Sequence, residues 1–230
     1  MLREQKDTIG RIIAYFSLIL SGNLYLTRLL KLLYLLDEYS VKTSGLPKTW
    51  LTYQIWGKGP VPNEIYFDIV IHGGRDFKEY FSVIESGGYI INSNSKINQL
   101  GLKKHVKSGM DYIVDNYGKY YSSDLIKILH KENSLWHQAV TRKNLNRYFK
   151  SGKNRISPYT IDFEEIVNGN QEKLQRFKIA ERALSKGVFI TSKEDFNIYR
   201  AALDAREIYA TDEELTAFTA LDPEDYYDYD

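Results

Sequence analysis

The stretch that most constrains the fold is a very apolar helix between Thr27 and Gly45, LTRLLKLLYLLDEYSVKTSG when read from Leu26. At 100° per residue, apolar side chains cover most of its circumference. A narrow polar stripe remains, made of Arg28, Lys31, Glu38 and Lys42. A helix this apolar must be packed on several sides, so the pattern predicts the central helix of a helical core. Thr27 is predicted as its N-cap, and Gly45 followed by Pro47 as its stop signal.

Asp37 interrupts the apolar side of this helix, where it lies among Leu30, Leu33 and Val41. Because a buried carboxylate is costly unless it is paired or hydrogen-bonded, Asp37 needs a definite partner. We expect backbone N–H groups of the 57–59 loop or a Trp indole N–H. The favoured interpretation is that Asp37 attaches this loop to the helix, and the alternative is an acid/base residue.

A glycine- and proline-rich loop follows, Trp56-Gly57-Lys58-Gly59-Pro60-Val61-Pro62, after a predicted strand at residues 51–55. Two glycines allow positive φ and two prolines fix φ around Val61, so a stiff corner is predicted. Pro62 suits the first turn of a third helix that runs to Ile71. Neither G-x-x-x-x-G-K-[ST] nor G-x-G-x-x-G is present, which argues against phosphate binding.

Together the helix and the loop resemble the Panacea antitoxin domain, the SocA-like, phage-associated family. Its pattern is a Lys-Leu-Leu-Tyr helix with a downstream Asp, then a Gly-Pro-Val loop that leads into a helix with Tyr. The resemblance spans about Gly22 to Val140, with Tyr117-Gly118 and Leu125 among its later landmarks. We assign a structural role to ten residues of this motif: Lys31, Tyr34, Asp37, Trp56, Gly57, Gly59, Pro60, Tyr66, His130 and Trp136.

The remaining chain predicts an α+β fold that is mostly α-helical, with a small antiparallel β-sheet or hairpin. A first helix is expected at residues 4–20, and helices at 102–117, 122–129 and 134–140. Two β-prone runs at 77–84 and 89–91 flank Gly87-Gly88 and predict a hairpin that joins the 51–55 strand. Residues 141–158 read as a linker or basic arm. Three further helical stretches follow, at 161–167, 171–185 and 192–209.

Three segments are predicted from these patterns: a Panacea-like core domain at 1–155, a helical extension at 156–211 and an acidic, mobile tail at 212–230. The net charge of +1 hides a strong segregation of charge. Residues 96–155 hold thirteen Lys and Arg against four Asp and Glu, whereas residues 212–230 hold eight acidic residues and no basic one. The tail can fold back on the basic patch, occupy a partner's basic cleft or serve as a solubilising tail.

Catalysis, metals and cofactors are not expected. The chain has no Cys, which excludes disulfides and thiol nucleophiles. His105, His130 and His137 lack the H-E-x-x-H spacing, and no G-x-S-x-G elbow or paired carboxylates are present. His130 is better interpreted as a packing residue that bridges its helix to the Trp136 helix. Since neither a signal peptide nor a stretch of about 20 apolar residues is found, a soluble cytoplasmic protein is expected.

The resemblance implies an antitoxin that binds a co-encoded protein toxin and neutralises it by direct contact. Family members pair with very different toxins, so the toxin itself cannot be named. Aromatic side chains commonly anchor interfaces, and those of the late helices and tail are the predicted partner contacts. They are Phe196, Tyr199, Tyr209, Phe218, Tyr226, Tyr227 and Tyr229.

Three alternatives stay open. The resemblance also allows a protease adaptor that delivers the toxin for degradation. A nucleic-acid-binding regulator would use a basic patch interleaved with Tyr148 and Phe149. The same patch could equally bind an acidic protein partner or be a solvated loop. A hydrolase is the third. The patch comprises Arg142, Lys143, Arg147, Lys150, Lys153 and Arg155.

Overall fold

The computed structural model describes residues 1–20, 24–150 and 155–211, and it confirms a mostly helical α+β fold. The helices are α1 Arg3–Ile19, α2 Leu26–Ser44, α3 Asn63–His72, α4 Lys104–Tyr117, α5 Ser122–Leu129, α6 Leu135–Arg142, α7 Leu145–Lys150, α8 Glu164–Val167, α9 Gln171–Ser185 and α10 Lys193–Thr211. The strands are β1 Tyr53–Trp56, β2 Gly59–Pro62, β3 Phe81–Glu85, β4 Tyr89–Ser93 and β5 Ile156–Thr160.

Helix α2 is the centre of the core, in contact with helices α3, α4, α5, α8 and α9 and with strands β2 and β4. Three residues of the narrow polar stripe, Arg28, Lys31 and Glu38, are buried, whereas Lys42 is exposed. Packing around the whole circumference therefore covers polar positions as well. The prediction of Thr27 as the N-cap is wrong, since the helix begins after Tyr25 without a side-chain cap. Gly45 ends it, as predicted, with φ of +79°.

Strands β1, β2 and β5 form an antiparallel sheet in the order β2-β1-β5. The segment predicted as a stiff corner at 56–62 instead contains strand structure: Gly59–Pro62 pairs with β1 in a hairpin, with Gln54 opposite Val61. The linker predicted at 141–158 is likewise wrong, because it contains α7 and the start of β5. Ser157 Oγ donates to the Ile55 carbonyl over 2.8 Å, which fixes β5 beside β1.

The hairpin predicted around Gly87-Gly88 is present as β3 and β4, with Val83 opposite Ile91. It forms a sheet of its own and does not join β1, contrary to the prediction. Its attachment is to α1: Ser17 Oγ donates to the Ile91 carbonyl over 2.8 Å and accepts from Ser93 N over 2.9 Å. A hairpin is marginal alone, so this docking on a helix supplies its stability.

Asp37 is completely buried, but its predicted partners are wrong. Its carboxylate accepts hydrogen bonds from the backbone N–H groups of Lys48 and Thr49, over 2.7 and 2.9 Å, and from the hydroxyl groups of Thr49 and Tyr53. Burial raises the pKa of Asp37, although these four donors act in the opposite direction. Asp37 therefore attaches the 47–49 segment to α2, and not the 57–59 loop.

The chain divides into two compact units, residues 1–191 and 192–230. Within the second unit, α10 begins where Asp195 N donates to Ser192 Oγ over 3.0 Å. The three-part division at residues 155 and 211 stays a prediction. Strand β5 starts just after the first of these boundaries and pairs with β1. Among the described residues, no helix is both long enough and apolar enough to cross a bilayer.

Candidate functional site

A groove of ≈ 650 Å³ opens beside α2, between the β1–β2 hairpin, α3 and the start of β5. We call it the α2–hairpin groove. Four of the ten motif residues line it, namely Lys31, Trp56, Gly57 and Tyr66. Its other lining residues are Thr27, Leu30, Lys58, Val61, Phe67, Phe149, Arg155 and Ile156. A volume of this size suits a small ligand or the side chains of a bound peptide segment.

Four of the twelve residues that line the groove are aromatic. Trp56 and Tyr66 meet edge to face with centroids 4.9 Å apart, and Tyr66 contacts Phe67 at 5.5 Å. Phe149 completes the wall beside Gly57, where an added Cβ would lie 3.3 Å from the Phe149 ring. Phe67 is 44% exposed, because it lies on the face of α3 opposite the buried Ile65 and Ile69. The wall thus presents apolar area to a partner.

Lys31 lies at the base of the groove and is 1% exposed. Its amino group donates to the Pro60 carbonyl over 2.7 Å, which connects α2 to β2. Gly59 permits this approach: its φ is +102°, and an added Cβ would lie 3.3 Å from Lys31 Nζ. Burial lowers the pKa of Lys31 to about 7. In a large fraction of the protein molecules, the Lys31 amine is therefore neutral near physiological pH.

His130 stacks on Trp136 with centroids 3.8 Å apart and planes 4° from parallel. Trp136 Nε1 in turn donates to the Trp56 carbonyl over 3.1 Å, behind the groove wall. Burial, reinforced by the charge of Lys31, lowers the pKa of His130 to about 4. Its Nε2 is buried and has no hydrogen-bond partner in the described part of the chain. His130 is thus a neutral aromatic ring here, poorly placed to act as a base.

The charged side chains that line the groove are all cationic. Lys58 and Arg155 are exposed at its mouth, and neither forms an ion pair with another described residue. No Asp or Glu is among the described lining residues. The groove therefore combines an aromatic wall with positive charge at its rim, which favours an apolar group that carries a neighbouring anion.

The other motif residues lie elsewhere around α2. Tyr34 packs edge to face with Tyr53 at 5.3 Å and is stacked on Phe163 at 5.8 Å. Its hydroxyl is buried without a described hydrogen-bond partner. With Asp37 nearby on the same helix, Tyr34 belongs to the core. The described residues bring no group of three His, Asp or Glu side chains together that could hold a metal ion.

Of the seven predicted aromatic contacts, the structure describes the side chains of two, Phe196 and Tyr199. Phe196 is buried and Tyr199 is half-buried. Tyr209 belongs to α10, but its side chain is not described. Four others lie outside the described residues: Phe218, Tyr226, Tyr227 and Tyr229.

The described residues of the predicted basic patch have different surroundings. Arg142 forms an ion pair with Glu165, and Lys143 lies 5.1 Å from the centre of the Tyr159 ring. Arg147 and Lys150 are exposed on α7, Lys153 lies outside the described residues, and Arg155 lines the groove. Sequence reasoning missed Lys58 and Phe67 as surface residues of a site. The helical period of α3 places Phe67 opposite its buried face, so the spacing of the sequence could have predicted an exposed Phe67.

Comparison with curated proteins gave no match, and comparison with solved structures gave none. The family model described as antitoxin SocA-like, Panacea domain matches residues 29–137. This range begins in α2 and ends in α6, so it contains the hairpin, Tyr66, His130 and Trp136. It confirms the resemblance drawn from the Lys-Leu-Leu-Tyr helix and the Gly-Pro-Val segment. We conclude that residues 29–137 are similar to the antitoxin SocA-like, Panacea domain.

Proposed function

We propose that this protein is an antitoxin that neutralises a co-encoded protein toxin by direct contact, without catalysis. The observation that carries the proposal is the match of residues 29–137 to an antitoxin family model. The α2–hairpin groove supports it, because eight of its twelve lining residues lie within that range and three of them, Trp56, Tyr66 and Phe67, are aromatic. Tyr and Trp are enriched where proteins bind one another.

The groove is a better candidate for binding than for chemistry. Its single buried amine, Lys31, is held by the Pro60 carbonyl, and the nearby His130 is neutral and packed on Trp136. Catalysis by proton transfer needs a base that the substrate can reach within hydrogen-bond distance. Lys31 has a pKa of about 7, but it is 1% exposed and donates to the Pro60 carbonyl, and the pKa of His130, about 4, lies well below neutral pH. A binding role uses the same residues as scaffold, and it fits a family described as antitoxins.

The proposed partner contacts extend beyond the groove. In this proposal, residues 1–155 form the common core, and residues 156–230 adapt it to one toxin. Phe196, Tyr199, Tyr209 and the tail aromatics are the proposed adaptor contacts. A nucleic-acid role draws less support, because Arg142 and Lys143 are already engaged with Glu165 and Tyr159.

The test is affinity purification of the tagged full chain from its native host, followed by mass spectrometry. We expect a stoichiometric protein partner that arrests growth when expressed alone and is harmless when this chain is co-expressed. A stable complex with undiminished toxin supports neutralisation by contact. Disappearance of the toxin in cells would instead favour the protease adaptor, and recovery of nucleic acid without a protein partner would contradict both.

A further inference from the structure

Three observations on the α2–hairpin groove restrict what can occupy it. The first is its shape: Trp56, Tyr66, Phe67 and Phe149 surround a cavity of ≈ 650 Å³ that opens to solvent. Burial of an aromatic side chain in such a wall is favourable both through apolar area and through ring contacts. The groove is therefore suited to bind a large apolar side chain of a partner.

The second observation is the charge at the rim. Lys58 and Arg155 are exposed, line the same groove and form no ion pair within the described part of the chain. Two uncompensated cations beside an aromatic wall are complementary to an acidic partner, and they repel a basic one.

The third observation concerns the backbone next to the groove. Strands β2 and β5 are the edges of the three-stranded sheet, and they contain Pro60, Pro62 and Pro158. Proline has no N–H to donate, so these edges are poor templates for an added strand. Recognition at the groove must then come from side chains and not from extension of the sheet.

We propose that the α2–hairpin groove binds an acidic segment of the partner toxin. An aromatic or large aliphatic side chain of that segment enters between Trp56, Tyr66, Phe67 and Phe149, and neighbouring carboxylates pair with Lys58 and Arg155. The identity of the partner as a toxin rests on the proposed function. The chemistry of the bound segment rests on the groove alone.

The experiment uses the full chain as bait for a random peptide library displayed on phage. We expect the selected peptides to carry Asp or Glu next to Trp, Phe or Leu. A synthetic peptide from this set is then titrated, with fluorescence anisotropy as the readout. The double variant Lys58→Glu/Arg155→Glu is expected to weaken its binding by about tenfold or more, and Phe67→Ala by about fivefold.

Matched controls are available on other surfaces. Lys186 is an exposed lysine after α9, and Ile84 is 50% exposed on β3. Lys186→Glu and Ile84→Ala are expected to bind the peptide as the natural chain does. All the variants change exposed side chains, so circular dichroism should show unchanged folding. The proposal would be overturned if the control and groove variants lost peptide affinity equally, or if the groove variants kept full affinity for the peptide.

The three tryptophans supply an internal reporter of position. Trp56 lines the groove, whereas the Trp50 indole donates to the Ile190 carbonyl over 2.7 Å and does not line it. In an NMR spectrum of the indole N–H groups, the acidic peptide should shift the Trp56 signal and leave Trp50 in place. A shift of Trp50 alone would place the peptide elsewhere and overturn the proposal.

Two further outcomes separate this inference from the proposed function. If acidic peptides bind the groove but no toxin is found, the groove proposal stands and the antitoxin role fails. If a toxin binds the groove variants and the natural chain equally well, the antitoxin role stands and the groove proposal fails. Selected peptides without acidic residues would also overturn the groove proposal. So would a single-stranded oligonucleotide that binds the natural chain and Phe67→Ala but not Lys58→Glu/Arg155→Glu.

Discussion

The amino group of Lys31 lies 2.7 Å from the carbonyl oxygen of Pro60, and this hydrogen bond connects the central helix to the β1–β2 hairpin. The lysine side chain is almost completely buried, so it reaches the hairpin from inside the core. The groove begins where these two elements meet. The stability of the contact therefore affects the scaffold on which the proposed partner site depends.

The buried Lys31 predicts a specific pH dependence of stability. The unfolded chain holds the lysine proton up to a pKa of 10.5, whereas burial lowers the folded pKa to about 7. Unfolding between these values takes up a proton, so a rising pH stabilises the fold. The free energy of unfolding should rise by up to about 1.4 kcal/mol per pH unit relative to Lys31→Met.

Urea unfolding of the natural chain and of Lys31→Met from pH 7.5 to 9 measures this difference. Other titrating groups are common to both chains and cancel. Lys58→Met, which changes an exposed lysine, should show no such slope against the natural chain. A constant difference between the natural chain and Lys31→Met across this range would show that the buried amine keeps its proton.

Asp37 predicts a large difference between two substitutions. One carboxylate oxygen accepts the N–H groups of Lys48 and Thr49, and the other accepts two hydroxyl groups. Asp37→Asn keeps the first oxygen, and hydroxyl groups can rotate to accept its amide, so a loss of about 1–2 kcal/mol is expected. Asp37→Leu leaves both buried N–H groups without an acceptor and should lower the free energy of unfolding by about 3–5 kcal/mol. Chemical denaturation of both variants compares them, and equal losses would argue against this role.

His130 predicts a loss of stability in acid. Burial lowers its folded pKa to about 4 from 6.5, so protonation favours the unfolded chain as pH falls through this window. His130→Phe keeps the stack on Trp136 and removes the buried Nε2, so its Tm should fall less between pH 7 and 5 than that of the natural chain. The control is His72→Gln on the exposed end of α3, which should follow the natural chain. Parallel Tm curves for His130→Phe and the natural chain would contradict the neutral, packed role.

Strand β5 predicts where the chain can be shortened. A fragment of residues 1–155 lacks the strand that pairs with β1, and it lacks Phe163, which stacks on Tyr34. We expect it to lose cooperative unfolding in urea, whereas residues 1–191, which form a compact unit, should unfold in one transition. Cooperative unfolding of the shorter fragment would support residue 155 as a true domain boundary.

The acidic tail predicts an effect on partner binding. If residues 212–230 adapt the protein to its toxin, their removal should weaken toxin binding while the unfolding transition of the remaining chain is preserved. Isothermal titration of the purified toxin with both forms measures this. A truncated chain that binds with unchanged affinity would remove the tail from the proposed interface.

The local sequence was sufficient to predict several elements. The apolar run at Leu29–Leu36 predicts a central helix because no arrangement leaves that many apolar side chains in water, and Gly45 ends it because glycine accepts positive φ. The hairpin at Gly87-Gly88 follows from the same local rules. The ordered landmarks from Lys31 to Trp136 carry the family assignment, which does not depend on knowing their contacts.

Tertiary structure alone decided how these elements meet. Asp37 accepts from Thr49 and not from the 57–59 loop, and Lys31 reaches Pro60, because packing sets which backbone groups face each buried polar side chain. β5 joins β1 across about 100 residues, and local periodicity contains no information on such a pairing. The groove arises from α2, α3, the hairpin and β5 together. Its shape and its uncompensated charge are therefore properties of their packing, which no single segment of the sequence encodes.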